Sequence, residues 1–311
     1  MVSPKLKFSY DRLDKEEIAC PLCGGNKFDL LASKDRYGMG IPTTQCLGCG
    51  MVMTNPRPTE EAMAQFYQHY YRQYYVQVET PTPQYIKASG LEPRASYTVD
   101  FFRDHNLLVE GSKVLDVGCG AGFILKEIGG RYPNIIPIGV EPGLGFSQFA
   151  RQNVPCEIVP CMEEVQQQEF HLIFSIHVLE HTANPVQFLI NLKRFLSPQG
   201  RLFIDVPDAT CYRSIADLHI AHLFHFSLSS LLATARLAQM RVILMERHNP
   251  PYHPKSIRCI MAREGPETSL RGEESDNTSI AQNIRSINRM PVGRFQKIIF
   301  SMGARLFGLR R

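Results

Sequence analysis

The sequence predicts an α/β fold, a largely parallel sheet covered by helices on both faces. Between about Glu92 and Arg263, short apolar runs alternate with amphipathic stretches, the order that builds a sheet with crossover helices. The run Val114-Leu-Asp-Val117 leads into glycines at 118, 120 and 122 and then a helical stretch from Phe123 to Ile128, a strand–turn–helix unit. The composition is that of a globular chain, 44% hydrophobic and 21% charged over 311 residues, long enough for one large domain and a small one.

Strands are predicted at 113–117, 135–140, 156–160, 171–176 and 201–206, with a final pair at 241–246 and 256–262. One helix is marked from Pro185 to Leu196: Asn184 caps it, Pro185 takes its first position, and Phe188, Leu189, Leu192, Phe195 and Leu196 share a face. Another starts after Thr59, an N-cap followed by Glu60 and Glu61. Along it Tyr67, Tyr70, Tyr71, Tyr74 and Tyr75 recur at one-face spacing. That stripe predicts packing between the N-terminal region and the main domain, with a substrate platform as the alternative.

The odd count of nine cysteines argues against a disulfide framework. Four have metal-ligand spacing: Cys20-Pro-Leu-Cys23-Gly and, 22 residues later, Cys46-Leu-Gly-Cys49-Gly. Two such knuckles place four thiolates around one ion, and because all four ligands are cysteine the site is closed and structural. Residues 1–58 are therefore expected to form a zinc-ribbon subdomain, 59–91 a Tyr-rich bridging helix and linker, and 92–263 the main domain. A polar linker at 264–280 and a basic amphipathic helix at 281–311 complete the expected organisation.

The charge is uneven. Seven cations and no acids follow Asp276, out of 34 basic and 30 acidic residues in all, so the body is slightly acidic. A large nucleic-acid footprint is not expected. The tail helix, with Phe295, Ile298, Ile299, Met302, Leu306 and Leu309 beside its cations, suits either an anionic membrane surface or docking on the body. The polar start and the lack of a long apolar span lead to the expectation of a cytoplasmic protein, at most peripheral to a membrane.

The glycine-rich turn carries the first functional signal. Gly118, Gly120 and Gly122 let the backbone turn tightly and let a ligand approach. Asp116 ends the strand before them, and Glu141 lies about 20 residues further on, where an acid grips ribose hydroxyls. This pattern, G-x-G-x-G with Asp116 and Glu141, resembles the class I S-adenosylmethionine-dependent methyltransferases. Cys20 to Cys49, Asn55-Pro-Arg-Pro-Thr59, Val178-Leu-Glu-His181, Leu196-Ser-Pro-Gln-Gly200, Val206-Pro-Asp208 and His222-Leu-Phe-His-Phe226 extend the likeness. Over these segments the chain is similar to zinc-ribbon methyltransferases among bacterial glycan- and sugar-modifying genes.

The resemblance implies a Rossmann-like seven-stranded sheet with a reversed last hairpin, and a donor site formed by Asp116, Gly118, Cys119, Gly120, Gly122, Glu141, Met162 and Ser175. The family's usual aspartate at the adenine is replaced here by Pro160-Cys161-Met162-Glu163, which offers Met162 to cover the ring and Glu163 to substitute for the aspartate. The implied reaction is methyl transfer to an oxygen or carbon of a small-molecule or glycan-linked acceptor. His177, His181, His222 and His225 are the candidate bases, since histidine takes protons near neutral pH. Their alternative role is structural. A zinc-ribbon RNA methyltransferase and a non-catalytic binding protein are the competing functional readings.

Overall fold

The computed structural model describes residues 10–67, 70–71, 78–166, 169–264 and 277–288. The N-terminal region contributes β1 (Lys15–Glu16), β2 (Phe28–Ala32), β3 (Thr43–Cys46), β4 (Val52–Thr54) and β5 (Arg57–Pro58). Helices α1 (Glu60–Phe66), α2 (Pro83–Ala88) and α3 (Leu91–Asp104) lead into the main sheet. There follow β6 (Lys113–Val117), α4 (Phe123–Arg131), β7 (Ile136–Val140), α5 (Leu144–Asn153), β8 (Glu157–Val159), β9 (Phe170–Ile176), α6 (Pro185–Lys193) and β10 (Leu196–Pro207). The chain continues through β11 (Phe224–His225), α7 (Leu228–Leu237), β12 (Arg241–His248), β13 (Ser256–Ala262) and α8 (Asn277–Asn288).

The main sheet has seven strands in the order β12-β13-β10-β9-β6-β7-β8. The ladders from β10 through β9, β6 and β7 to β8 are parallel, whereas β13 runs antiparallel to both β10 and β12. This is the Rossmann-like methyltransferase sheet with its reversed hairpin. Strand period two divides the core between its faces. Leu115, Ile173, Leu202 and Ile204 join Leu189 and Leu192 of α6 and Leu231 of α7. Val114, Leu172, Phe174 and Phe203 join Phe102 of α3, Leu125 and Ile128 of α4 and Ala150 of α5. The chain order reverses between β6 and β9, so the ends of these strands open a crevice for a ligand.

The caps behave as the residue types dictate. The side chains of Thr59 and Asn184 accept from the N–H groups of Ala62 and Gln187. Helix α6 ends at Lys193, short of the predicted Leu196, because Leu196 already pairs with Phe170 as the first residue of β10.

The second sheet, β11-β4-β3-β2, changes the expected division of the chain. Three of its strands carry or flank the four cysteines, but Phe224 and His225 come from the main-domain sequence and pair with Met53 and Val52. Cys20, Cys46, Met51 and Met53 share one buried cluster with Leu115 and Ile204 of the large sheet. The cysteine-bearing region is thus packed on the main domain and completed by it.

Helix α8 starts at Asn277, inside the predicted polar linker. Ile280, Ala281, Ile284 and Ile287 are buried against Leu31, Val52, Tyr212 and Ile215. Asn283 donates to the carbonyls of Thr210 and Tyr212, and Arg285 pairs with Asp29. Docking on the body is therefore what residues 277–288 do. The rest of the predicted tail helix, like Tyr74 and Tyr75, lies outside the described residues. No helix among the described residues is long and apolar enough to cross a membrane.

Asp35 supplies a pH-dependent element. It is 2% exposed and its Oδ1 accepts from Tyr37 and Met39 N–H, while Oδ2 is buried without a partner. Burial raises its pKa from 3.8 to about 6. The folded chain keeps this proton to a higher pH than the unfolded chain, so the stability it contributes is complete in acid and is lost as pH rises through about 6. Asp35→Asn should flatten the dependence of the thermal midpoint on pH between about 4 and 6, a difference on the order of 2 kcal/mol across the window. Parallel midpoint-versus-pH curves for the two proteins would contradict this.

Candidate active site

Asp116, the penultimate residue of β6, is buried at 3% exposure, and the strand breaks at Gly118, whose N–H donates to Val140 O at 2.8 Å. Gly118 has φ +88°, and a Cβ there would lie 2.4 Å from Val178 Cγ2, so a side chain is excluded by conformation and by space. Gly122, at φ +77°, occupies the N-cap of α4 in the left-handed conformation. Glu141 spans the opening. Its Oε2 accepts from Gly120 N–H at 3.0 Å and its Oε1 from Gly143 N–H at 2.7 Å. One carboxylate thereby ties the turn after β6 to the turn after β7.

A cleft of about 180 Å³ lies over this turn, lined by Asp116, Gly118, Cys119 and Gly120 together with Tyr85, Arg94, Phe146 and Ile176. Four of the expected donor residues therefore line one space. Gly122 and Glu141 support its floor. Ser175 is 1% exposed and donates to Val117 O at 2.9 Å, bridging β9 and β6 beneath the cleft. Met162 sits in a one-turn helix and packs on the core. Burial, then the neighbouring Glu141, raises the Asp116 pKa well above the ordinary carboxylate value.

Arg94 was not apparent in the sequence. It belongs to α3, a helix whose pattern marks only a packing face, and the closure of α3 over the sheet is what places it in the cleft. Burial lowers its pKa to about 10, opposed by Tyr85 and Asp205.

Beside the cleft, the segment after β9 turns into a one-turn helix, Leu179–His181. His177 adopts a left-handed φ of 55°, held by its N–H donating to Asp205 O at 2.8 Å. Its Nε2 lies 3.2 Å from both Ser256 Oγ and His253 Nδ1. Glu180, 1% exposed, is central: His177 Nδ1, His222 Nε2 and His181 Nε2 lie 3.6, 3.8 and 3.9 Å from its Oε1. His181 Nδ1 contacts Ala221 O at 2.6 Å. A carbonyl can only accept, so Nδ1 carries the hydrogen and Nε2 bears the lone pair.

Burial pushes the Glu180 carboxyl up to about 8 and the His181 imidazole down to about 4. It also holds His177 and His222 well below the usual histidine range. Three of the four candidate histidines thus converge on one acid. The fourth, His225, is buried in β11 with Nδ1 3.1 Å from Tyr212 Oη and its ring centroid 6.1 Å from that of His222. Tyr67 and Tyr71 of the predicted stripe meet His181 edge-on, both with centroids 6.5 Å away, so these two tyrosines pack on the cluster. Glu180 and His253 were not among the candidate site residues. Glu180 adjoins His181, whereas His253 reaches the site only through the reversed hairpin.

The four cysteines of the N-terminal region come together with sulfur–sulfur distances of 3.5 Å for Cys20–Cys49 and Cys23–Cys46. All four sulfurs fall within 4.8 Å of one another. Thiolates on a tetrahedral zinc at about 2.3 Å stand ~3.8 Å apart, so the set fits that ion. Gly25 and Gly48 keep the knuckles open, since a Cβ at either would lie 3.2 or 3.1 Å from Cys23 Sγ.

Comparison with known proteins agrees with the fold. Residues 63–267 match the family model described as a methyltransferase domain. Among curated relatives, a tRNA U34 carboxymethyltransferase of Hydrogenovibrio crunogenus is 33% identical over 120 residues, 34% of this chain and 36% of that protein. A mitochondrial ubiquinone biosynthesis O-methyltransferase of Dictyostelium discoideum is 26% identical over 123 residues, 34% of this chain and 38% of that protein. The chain therefore spans little more than a third of the length of these relatives. A solved SAM-dependent methyltransferase from Aquifex aeolicus superposes with a TM-score of 0.45 at 17% identity, covering 58% of this chain and 93% of that one. The tRNA in the names of several relatives runs against the expectation that nucleic acid is an unlikely partner.

Two substitutions test the cleft. Glu141→Ala removes the acceptor for Gly120 and Gly143 and should weaken S-adenosylmethionine binding about ten- to a hundredfold by calorimetry, the loss of a charged hydrogen-bonding group. Gly118→Ala should weaken it similarly and lower stability by about 1–3 kcal/mol, from the strained φ and the Val178 clash. Unchanged affinity in both would remove this cleft as the donor site.

Proposed function

Because the chain belongs to the methyltransferase-domain family and is a SAM-dependent methyltransferase, we propose that it carries the methyl group to an RNA acceptor, with the donor in the Asp116–Glu141 cleft. The observation that carries the placement is the meeting of Asp116, the glycine turn and Arg94 in one cleft bordered by the His177–Glu180 segment. Bound there, S-adenosylmethionine supplies an electrophilic methyl on sulfur. Asp116 suits the donor's ammonium group, Arg94 its carboxylate, and the bare backbone at Gly118 and Gly120 its main chain. Glu141 has lone pairs left for ribose hydroxyls beyond the two it gives to Gly120 and Gly143.

The acceptor side is assigned to the acid–histidine cluster. Ile176 lines the cleft and Val178 packs on Gly118, so the loop bearing His177, Glu180 and His181 borders the reacting end. With the donor bound, the imidazole of His177, the clustered histidine nearest Glu180, would take the acceptor's proton as its oxygen, nitrogen or carbon attacked the methyl. The tRNA named for the relatives supports a nucleoside acceptor. A nucleotide reaching this cluster must leave its stack, because the side chains of His177, His181 and His222 are only 16%, 19% and 13% exposed.

That burial, with a ubiquinone O-methyltransferase among the relatives, supports a second reading, a small-molecule or glycan-linked acceptor. Labelled methyl from S-adenosylmethionine separates the two when the protein is offered bulk tRNA and a small-molecule and glycan extract. Label in an RNase-sensitive pool is expected. Label confined to an RNase-resistant pool establishes the second reading.

We also propose that the four-cysteine cluster holds one structural zinc ion, since four converging sulfurs satisfy its coordination and leave no open position. Cys46→Ala should reduce zinc bound at these thiolates, measured by elemental analysis, and lower the thermal midpoint, because binding energy at such sites is folding energy. A protein with unaltered zinc content would rule this out.

A further inference from the structure

We propose that Glu180, His181 and His222 form a second cation site, distinct from the four cysteines, for a divalent ion of the zinc type. One ligand atom from each lies within 4.8 Å of the other two. The measured separations of 3.8 and 3.9 Å from Glu180 Oε1 are too long for hydrogen bonds. They are close to those of ligands sharing an ion, since donors about 2.0–2.2 Å from a tetrahedral ion stand ~3.3–3.6 Å apart.

The independent observation is a concentration of buried polar atoms without hydrogen-bond partners. Both oxygens of Glu180, Nδ1 of His222 and the hydroxyl of Tyr67 are in this state among the described residues. Buried polar groups are nearly always satisfied, and a buried acid whose two oxygens both lack a hydrogen-bond partner is a costly exception. A divalent ion accounts for it at the carboxylate by supplying the missing charge. The tautomer of His181 fits as well: Ala221 O holds the hydrogen on Nδ1, so Nε2 faces Glu180 as a ligand whose other nitrogen is fixed by a carbonyl.

Two imidazoles and one carboxylate select a borderline transition ion over calcium or magnesium. Three protein ligands leave a further position open, unlike the closed cysteine site. The segment that supplies His222 also supplies β11 to the cysteine-bearing sheet, so the two proposed sites share one structural support.

An ion here would offer a Lewis acid to an acceptor oxygen. That use rests on the methyl-transfer reading, whereas binding of the ion does not. Cobalt(II) titration of the full chain tests binding, because cobalt at thiolates gives sulfur charge-transfer absorption and cobalt at nitrogen and oxygen does not. The expected result is roughly one equivalent per chain beyond that bound at the cysteines. Glu180→Gln and His222→Ala should each abolish this extra equivalent while leaving the thiolate absorption and the circular dichroism spectrum unchanged. No extra equivalent in the unsubstituted protein, or one that survives either substitution, overturns the proposal. Calorimetry with S-adenosylmethionine on the same samples isolates the other reading: lost donor binding with the ion retained would sink the methyl-transfer reading and leave the site.

Discussion

The carboxylate of Glu141 is the constraint on which the proposed donor cleft depends. It stands at the end of β7 yet accepts from Gly120 in the turn after β6 and from Gly143 at the cap of α5. Two helix starts and two strand ends are thereby held to one another by a charged acceptor. The glycine turn can then keep three consecutive alternate residues in left-handed conformation, each of which would cost energy with a side chain present. The open backbone that results is what a ligand can approach, and Val178 against Gly118 carries the same constraint into the loop that bears the histidines.

The acceptor side is governed by the opposite situation. Neither carboxyl oxygen of Glu180 has a hydrogen-bond partner among the described residues, and burial suppresses charge across the cluster, raising the acid to about 8 and lowering the imidazoles. Such pairs of displaced titrations mark sites of chemistry more often than sites of packing. The tyrosines of the segment after α1 and the hairpin residue His253 enclose the cluster from two sides, contributed by parts of the chain far apart in sequence.

The two sheets form a continuous structure. β11 closes the cysteine-bearing sheet, and the residues just before it bring His222 to Glu180. Arg57, from the end of the same N-terminal region, reaches Glu16 and the carbonyl of Ala183 beyond the histidine loop. The N-terminal region thus supports the active-site loop from behind, and α8 buttresses its outer side through Ile280 and Ile284.

The sequence by itself determined the sheet, the donor turn and the cysteine cluster, because each rests on local pattern: alternating apolar residues, glycines at fixed offsets, and cysteine pairs three apart. Asp116, Gly118 and Glu141 were legible for that reason, as were the caps at Thr59 and Asn184. Only the tertiary structure decided that Arg94 enters the cleft over the glycine turn, that Glu180 is the centre around which three histidines gather, that His225 meets Tyr212 and that Ser175 bridges β9 to β6. It also decided that β11 crosses into the N-terminal sheet and that the start of α8 docks on the body. These placements depend on which helix closes over which strand and on burial that removes water from a charged group, and neither is written in any short run of residues.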